Sequence, residues 1–329
     1  MMKILILTHA EVEELLPVSE CIPIMAEALA DLARGKVYQP LRMVITPPHA
    51  DGDMALMPSY RSGERAAYGV KTVCFFPGNP AKGLDSHQGS VMLFSGETGE
   101  LAALMNASAI TAIRTAAVSG VATRLLARDD ASELAIIGSG VQARAHIEAM
   151  ACVRPIKRAR VASLRVEHAR KFAEEFGRRY SFPIEPVESV ESAVRGADLI
   201  VTATTAAEPI VMLEWISPGA HLNVVGSSIP TSREVDSVTM AGASLFVDRR
   251  ESTINEGGDY LFALREGAIG PDHIKGEIGE LLIGEKRGRT SPEEITLFKS
   301  LGLAVEDLAS ADYLYRKATR TGGGTWVAF

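Results

Sequence analysis

Residues 133–149, E-L-A-I-I-G-S-G-V-Q-A-R-A-H-I-E-A, constrain the fold more than any other stretch of the chain. The apolar run at 134–137 reads as a buried strand, and it stops at Gly138-Ser139-Gly140. A helical pattern begins at Val141. Strand, glycine turn and helix in that order are what a dinucleotide fold places around a pyrophosphate. The first glycine permits the tight turn and the second lets the backbone approach the phosphates. A small third residue, here Ala143, lets helix and strand pack closely. The N–H groups of the first helical turn then face the anion. Alone, the stretch also fits an ordinary strand–turn–helix unit without a ligand.

What surrounds the stretch favours the first reading. Strand patterns at 134–137, 160–163, 184–187, 199–202, 221–225 and 244–247 alternate with helical patterns near 141–151, 167–179, 189–196 and 232–241. This alternation predicts an α/β unit built on a Rossmann-type, doubly wound parallel sheet of six strands. Helical segments at 258–266 and 276–283, a strand candidate at 294–298 and a last helix at 303–320 follow, and then a tail that is glycine-rich and finally apolar. The first hundred residues differ. A strand candidate at 4–7 leads to Thr8, with Glu11 three residues later as a capping box, and a helical period over 19–34 ends at Gly35. Short strand candidates follow at 42–46, 54–57, 67–76, 89–94 and 101–105, separated by Gly-, Pro- and Asp-rich turns. An alanine-rich amphipathic helix at 108–127 leads into the glycine loop, and the domain junction falls within it.

Composition excludes several classes. The 329 residues suffice for two domains, and 47% hydrophobic with 23% charged residues is an ordinary globular balance. A net charge of −7 argues against a nucleic-acid partner. Cys21, Cys74 and Cys152 are far apart and in no C-x-x-C pair, so neither a disulfide framework nor a metal site is suggested. The first residues carry too short an apolar run for a signal peptide, and no stretch approaches the ~18 uninterrupted apolar residues of a membrane span. The expectation is a soluble, cytoplasmic protein without a membrane partner.

The tip of the second predicted strand bears on the choice of nucleotide. NAD is marked by a carboxylate there, placed to take the ribose hydroxyls. This chain reads Val161-Ala162-Ser163-Leu164-Arg165, with no carboxylate. Ser163 and Arg165 could hold a 2′-phosphate, which favours NADPH with NADH still open. The alternative is that Arg165 is a solvated helix-start residue and Glu167 serves the ribose.

Four segments together resemble the ornithine cyclodeaminase/μ-crystallin family: G-S-G-V-Q-A at 138–143, G-V-K-T-V-C-F-F-P-G-N-P at 69–80, A-I-R-T-A-A-V-S at 112–119 and E-I-T-L-F-K-S-L-G at 294–302. The resemblance spans essentially the whole chain. It implies a Rossmann domain, 116–304, inserted into an α/β substrate-binding and dimerisation domain made from both chain ends, 1–115 and 305–329, and a homodimer. It also implies that Arg42, Lys71 and Arg114 bind a substrate carboxylate, with Ser86 where relatives often have threonine. Cofactor contacts are implied at Thr115, Gly138, Gly140, Val141, Gln142, Ser163, Arg165, Thr204 and Gly226. Read without the resemblance, Arg42 and Arg114 are ordinary surface charges. Lys71, inside an apolar strand, points either outward or into a cavity. His87 either lines the pocket or is a plain loop residue.

The departures from the family pattern carry the functional expectation. Ornithine cyclodeaminases have an aspartate after the fifth strand of the Rossmann domain, where this chain has Ser228, and tend to have a glutamate before L-M-P, where it has Ala55. The serine resembles the ketimine reductase and pyrroline-2-carboxylate reductase members. The expected activity is NAD(P)H-dependent reduction of a small cyclic ketimine carboxylate, with Lys71 as the catalytic residue and Ser228 near the substrate nitrogen. Ornithine cyclodeamination, reductive amination of the alanine dehydrogenase type, and a non-catalytic NADP-binding role are the alternatives. The expected partners are a small imino or amino acid and a second copy of the chain.

Overall fold

The computed structural model describes residues 3–329, apart from the side chain of Pro80. The chain starts with β1 (Lys3–Leu7) and the helices His9–Leu15 and Val18–Ala33. The first helix carries the capping box read from the sequence: Glu11 N donates to Thr8 Oγ1, and Thr8 N donates to the Glu11 carboxylate. Then come β2 (Val37–Tyr38), β3 (Met43–Ile45), β4 (Asp53–Arg61), β5 (Ala67–Phe75), β6 (His87–Ser95) and β7 (Leu101–Asn106). β4 to β7 form an antiparallel meander, β2 and β3 both pair with β4, and β1 runs parallel to β7. In this register Lys71 of β5 lies between Met57 of β4 and Val91 of β6. β4 is longer than the apolar pattern at 54–57, because Pro58 to Arg61 go on pairing with β5.

The helix Ala107–Leu126 corrects one expectation. It is not amphipathic: residues 114–123 are buried without a break. It is long and apolar enough to cross a membrane, yet 72% of its most apolar window is buried inside the protein, as in the core helix of a globular fold.

The compact unit Ala116–Leu301 contains β8 (Glu133–Ile137), β9 (Arg158–Ala162), β10 (Ile184–Pro186), β11 (Leu199–Thr202), β12 (His221–Val224), β13 (Ser244–Val247), β14 (Ile274–Glu277) and β15 (Thr296–Lys299). All pairings are parallel, in the order β10-β9-β8-β11-β12-β15-β13-β14. The strand order reverses between β8 and β11, where doubly wound sheets bind their ligands. Every residue of β11, β12 and β15 is buried, as expected for central strands of a sheet covered on both faces.

The sheet has eight strands where the sequence pattern predicted six. β14 occupies part of the segment read as helical at 276–283, and only Ile278–Leu282 of that segment is helix. The helix expected at 232–241 is confined to Ser237–Gly242, because Val235 first bridges to Val211.

The chain then returns to its first unit, which comprises residues up to Thr115 and from Gly302 onward. The helix Ala304–Thr321 ends at Gly322, whose φ of 76° is the left-handed C-terminal stop. β16 (Thr325–Ala328), in the tail not read as a strand, adds antiparallel to β1 and completes the order β16-β1-β7-β6-β5-β4-β2, with β3 also on β4. The returning helix packs on β4, β5 and β6. A Cβ at Gly69 of β5 would stand 2.9 Å from the Leu308 side chain, so a glycine there lets the helix approach.

Candidate active site

In the first unit, Ala67, Gly69 and Lys71 share one face of β5 and are all buried. This settles the open orientation of Lys71: it points inward and is 3% exposed. Its Nζ lies 2.8 Å from Asp307 Oδ2 and donates to Thr111 Oγ1 at 3.4 Å. Arg114, equally buried, donates from Nε to Asp307 Oδ1 at 3.1 Å and from Nη1 to Glu306 Oε2 at 2.6 Å. Arg42 donates from Nη2 to the Gly302 carbonyl at 3.1 Å. Gly302 has a φ of 79°, and a Cβ there would lie 2.5 Å from the Arg114 guanidinium. The three cations named from the sequence therefore meet at one place, the segment 302–307 that opens the C-terminal helix.

The sequence reading missed the two carboxylates that make this possible. Glu306 and Asp307 are each about 1% exposed. A signal was present, since acidic residues in a first helical turn complement the helix dipole. Nothing local linked V-E-D-L to cations nearly 200 or more residues earlier. Burial, together with the Arg114 and Arg42 charges, pushes the Lys71 amine down to about 8, while Asp307 pulls it up.

His87, left open by the sequence, is an exposed residue at the start of β6 with its ring against Phe75. Desolvation, then the charges of Lys71 and Arg114, hold its imidazole below the ordinary value. The ring packs on Phe75 with centroids 4.9 Å apart, and Ser86 Oγ lies 3.1 Å from its Nδ1. Thr115 is buried one residue beyond Arg114 in the same helix.

In the second unit, β8 runs directly into Gly138, whose φ is 117°, and a Cβ there would lie 2.4 Å from the Ala203 carbonyl oxygen. Gly140 caps the helix Val141–Val153 with a φ open to any residue, and a Cβ on it would meet nothing within 4 Å. Its smallness is therefore not required by the chain's own packing. Ala143 is fully buried, and the buried Gln142 Oε1 has no hydrogen-bond partner within the protein. An open approach at Gly140 and the N–H groups of the first helical turn fit a bound pyrophosphate.

The neighbouring strand ends supply the remaining named residues. Ser139 and Ser163 hydroxyls lie 2.9 Å apart, joining the glycine turn to the tip of β9. Leu164 and Arg165 project from that tip, and the first carboxylate, Glu167, lies in the following helical turn. Thr204 and Gly226, after β11 and β12, are joined through one residue the sequence reading missed. Glu234 accepts from Thr204 N at 2.7 Å and from Gly226 N at 2.7 Å. Ser228 sits half-buried two residues past Gly226.

The parallel sheet and glycine turn define the class: a Rossmann-type dinucleotide-binding unit in a chain with a second α/β unit. The chain belongs to the ornithine cyclodeaminase/mu-crystallin family, whose sequence profile matches residues 2–322. It is 41% identical over 297 residues to the ketimine reductase mu-crystallin of Mus musculus, covering 89% of this chain and 90% of that one. The Δ1-pyrroline-2-carboxylate reductase of Thermococcus litoralis, solved with NADH and L-proline, superposes with a TM-score of 0.95 at 42% identity, covering 98% of this chain and 99% of that one. An archaeal alanine dehydrogenase dimer with bound NAD superposes at 0.93 with 35% identity over the whole of both chains.

The two glycines separate packing from binding. Gly138→Ala is expected to lower the unfolding midpoint by several degrees, because its Cβ would strike backbone. Gly140→Ala is expected to leave the midpoint unchanged and to weaken nicotinamide dinucleotide binding about tenfold, or about 1.4 kcal/mol. Thermal unfolding and titration of bound-cofactor fluorescence read the two effects.

Proposed function

We propose that this protein is an NAD(P)H-dependent reductase of small cyclic ketimine carboxylates, converting Δ1-pyrroline-2-carboxylate or Δ1-piperideine-2-carboxylate to proline or pipecolate. The observation that carries the reading is the buried Lys71, whose amine is tuned to about 8 and set among Arg42, Arg114 and Asp307. Bound NAD(P)H supplies the hydride for the imine carbon. Arg42 and Arg114 hold the substrate carboxylate through charge-assisted hydrogen bonds. Protonated Lys71 gives its proton toward the ring nitrogen, and an amine near 8 is well matched to that task at neutral pH. Ser228 hydrogen-bonds the nitrogen but takes no proton from it at that pH. Ornithine cyclodeamination is disfavoured by the same residue and by Ala55, since neither supplies a carboxylate to take the proton of a diamine substrate.

NADPH is the preferred cofactor in this reading, supported by Ser163 and Arg165 at the tip of β9 and by the absence of a carboxylate there. The protein acts as a soluble, cytoplasmic homodimer. The exposed apolar strip Tyr38, Met43, Val44, Ile45 and Tyr68 on β2, β3 and β5 supports self-association, and the alanine dehydrogenase named above is a dimer. Light scattering is expected to give twice the 35.2 kDa of one chain.

Absorbance assays with pyrroline-2-carboxylate, piperideine-2-carboxylate, and pyruvate plus ammonia, each with NADH and NADPH, test the reading. Turnover of a cyclic ketimine is expected, with Arg165→Ala raising KM for NADPH about tenfold and leaving NADH unaffected. Turnover of pyruvate with ammonia alone would establish the alanine dehydrogenase activity instead, and ammonia release from ornithine would establish cyclodeamination.

The pH profile tests Lys71. The donor is protonated below its pKa, so kcat/KM for ketimine reduction is expected to be high below about 8 and to fall as pH rises through that value. Asp307 raises the Lys71 pKa, so Asp307→Asn is expected to move this limb to lower pH. Lys71→Ala is expected to cost about 10²-fold or more in kcat while NADPH still binds.

A further inference from the structure

A second buried charge cluster lies under the loops after β11 and β12, and the proposed chemistry does not use it. Glu234, Asp259 and Lys299 are all at most 1% exposed. The Glu234 carboxylate takes four donors: Thr204 N at 2.7 Å and Thr204 Oγ1 at 2.8 Å on one oxygen, Thr202 Oγ1 at 2.7 Å and Gly226 N at 2.7 Å on the other. Asp259 Oδ1 accepts from the backbone of Glu234 at 2.7 Å and of Val235 at 3.1 Å, and its Oδ2 lies 2.8 Å from Lys299 Nζ. Lys299 in turn donates to the Ser227 carbonyl. Ser227 Oγ ties the loop across to Ser232.

Two glycines seat the same loop. A Cβ at Gly226 would stand 2.4 Å from Glu234 Oε1, and one at Gly258 would stand 2.0 Å from the Ser232 carbonyl oxygen. The contacts of Glu234, and that of Lys299 with Ser227, thus end on backbone or hydroxyls at the carboxyl ends of β11 and β12, the edge on which a doubly wound sheet binds its ligand. A buried ion pair is a poor way to gain stability, since apolar residues of the same volume usually serve as well or better. Its effect here is to fix the positions of Thr204, Gly226 and the segment leading to Ser228.

We propose that Glu234, Asp259 and Lys299 are positioning residues that hold the loop of Ser228 and the strand ends beside it in the geometry needed for hydride transfer. This rests on the reductase reading. Glu234 serves in either protonation state: as an acid it can donate to the Thr202 hydroxyl while still accepting from Gly226 N. Glutamine cannot, because placing its carbonyl on Thr204 turns its NH₂ toward the Gly226 N–H.

The test compares wild type with Glu234→Gln and with the double variant Lys299→Met/Asp259→Asn, which removes both charges of the ion pair together. Four quantities are measured: unfolding midpoint, NADPH dissociation constant, kcat with KM for the ketimine, and the kinetic isotope effect on kcat with NADPH deuterated at the transferred position. The expected result for folded Glu234→Gln is a fall in kcat of about tenfold or more. The isotope effect should increase as the chemical step becomes limiting, while the NADPH dissociation constant stays within about threefold. Emission of the bound reduced nicotinamide should also shift. Unchanged kcat per bound NADPH, isotope effect and emission, with only a lower midpoint, would overturn the proposal and leave the cluster a stability element. If Glu234→Gln does not fold, the double variant is read by the same criteria. If wild type reduces no ketimine, the reductase reading fails by itself, and the emission of bound NADPH in the variants then decides the positioning role alone.

Discussion

The Asp307 carboxylate is the interaction on which the first unit depends. One oxygen faces Lys71 and the other accepts from Arg114, with Glu306 taking a second nitrogen of that guanidinium. Two cations this deeply buried would each cost on the order of several kcal/mol without a partner. The helix that supplies the partners must therefore dock by its first turn, and the surrounding chain accommodates it: Gly69 admits Leu308, Gly302 admits the Arg114 guanidinium, and Gln39 Oε1 accepts from Val305 N at 2.8 Å.

Each unit buries one lysine against one aspartate, and the two pairs differ in their surroundings. Lys299 has an aspartate and a backbone carbonyl and is completely enclosed, so its charge is neutralised and directed at the chain itself. Lys71 has an aspartate and a hydroxyl, with two guanidinium groups acting against its charge. The first arrangement ties the ammonium to the chain's own backbone. The second holds a proton that can be given up near neutral pH. In the proposed mechanism the same residue pair serves geometry in one unit and chemistry in the other, and the difference lies in the neighbouring arginines.

Much of this was legible in the sequence, and the exceptions have a common cause. The glycine turn, the six strands from 134–137 to 244–247 and the capping box at Thr8 are local patterns, and they appear where the sequence places them to within a residue or two at the strand ends. The strand candidates of the first unit were found but cut short at β4, where Pro58 and polar residues break the apolar period while backbone pairing continues. β14 and the final strand were missed because both are short and draw their stability from a partner distant in sequence. Glu306, Asp307, Glu234, Asp259 and Lys299 look like ordinary charged residues until the fold buries them. The three cations were identified only through family resemblance, whereas their convergence on the C-terminal helix is a matter of geometry.

The connectivity also bears on how the chain reaches this state. β15 arises at 296–299 but sits in the middle of the parallel sheet, between β12 and β13, and the helix and strand that complete the other sheet come later still. A polypeptide emerging from the ribosome holds Lys71 and Arg114 for most of its synthesis with no carboxylates from 306–307 to neutralise them, and both sheets lack members until the last ~35 residues appear. Closure over such sequence separations makes for slow folding, with unpaired strand edges exposed meanwhile. For this chain the final tenth of the sequence completes both units together, so a truncation there is a folding lesion as much as a local one.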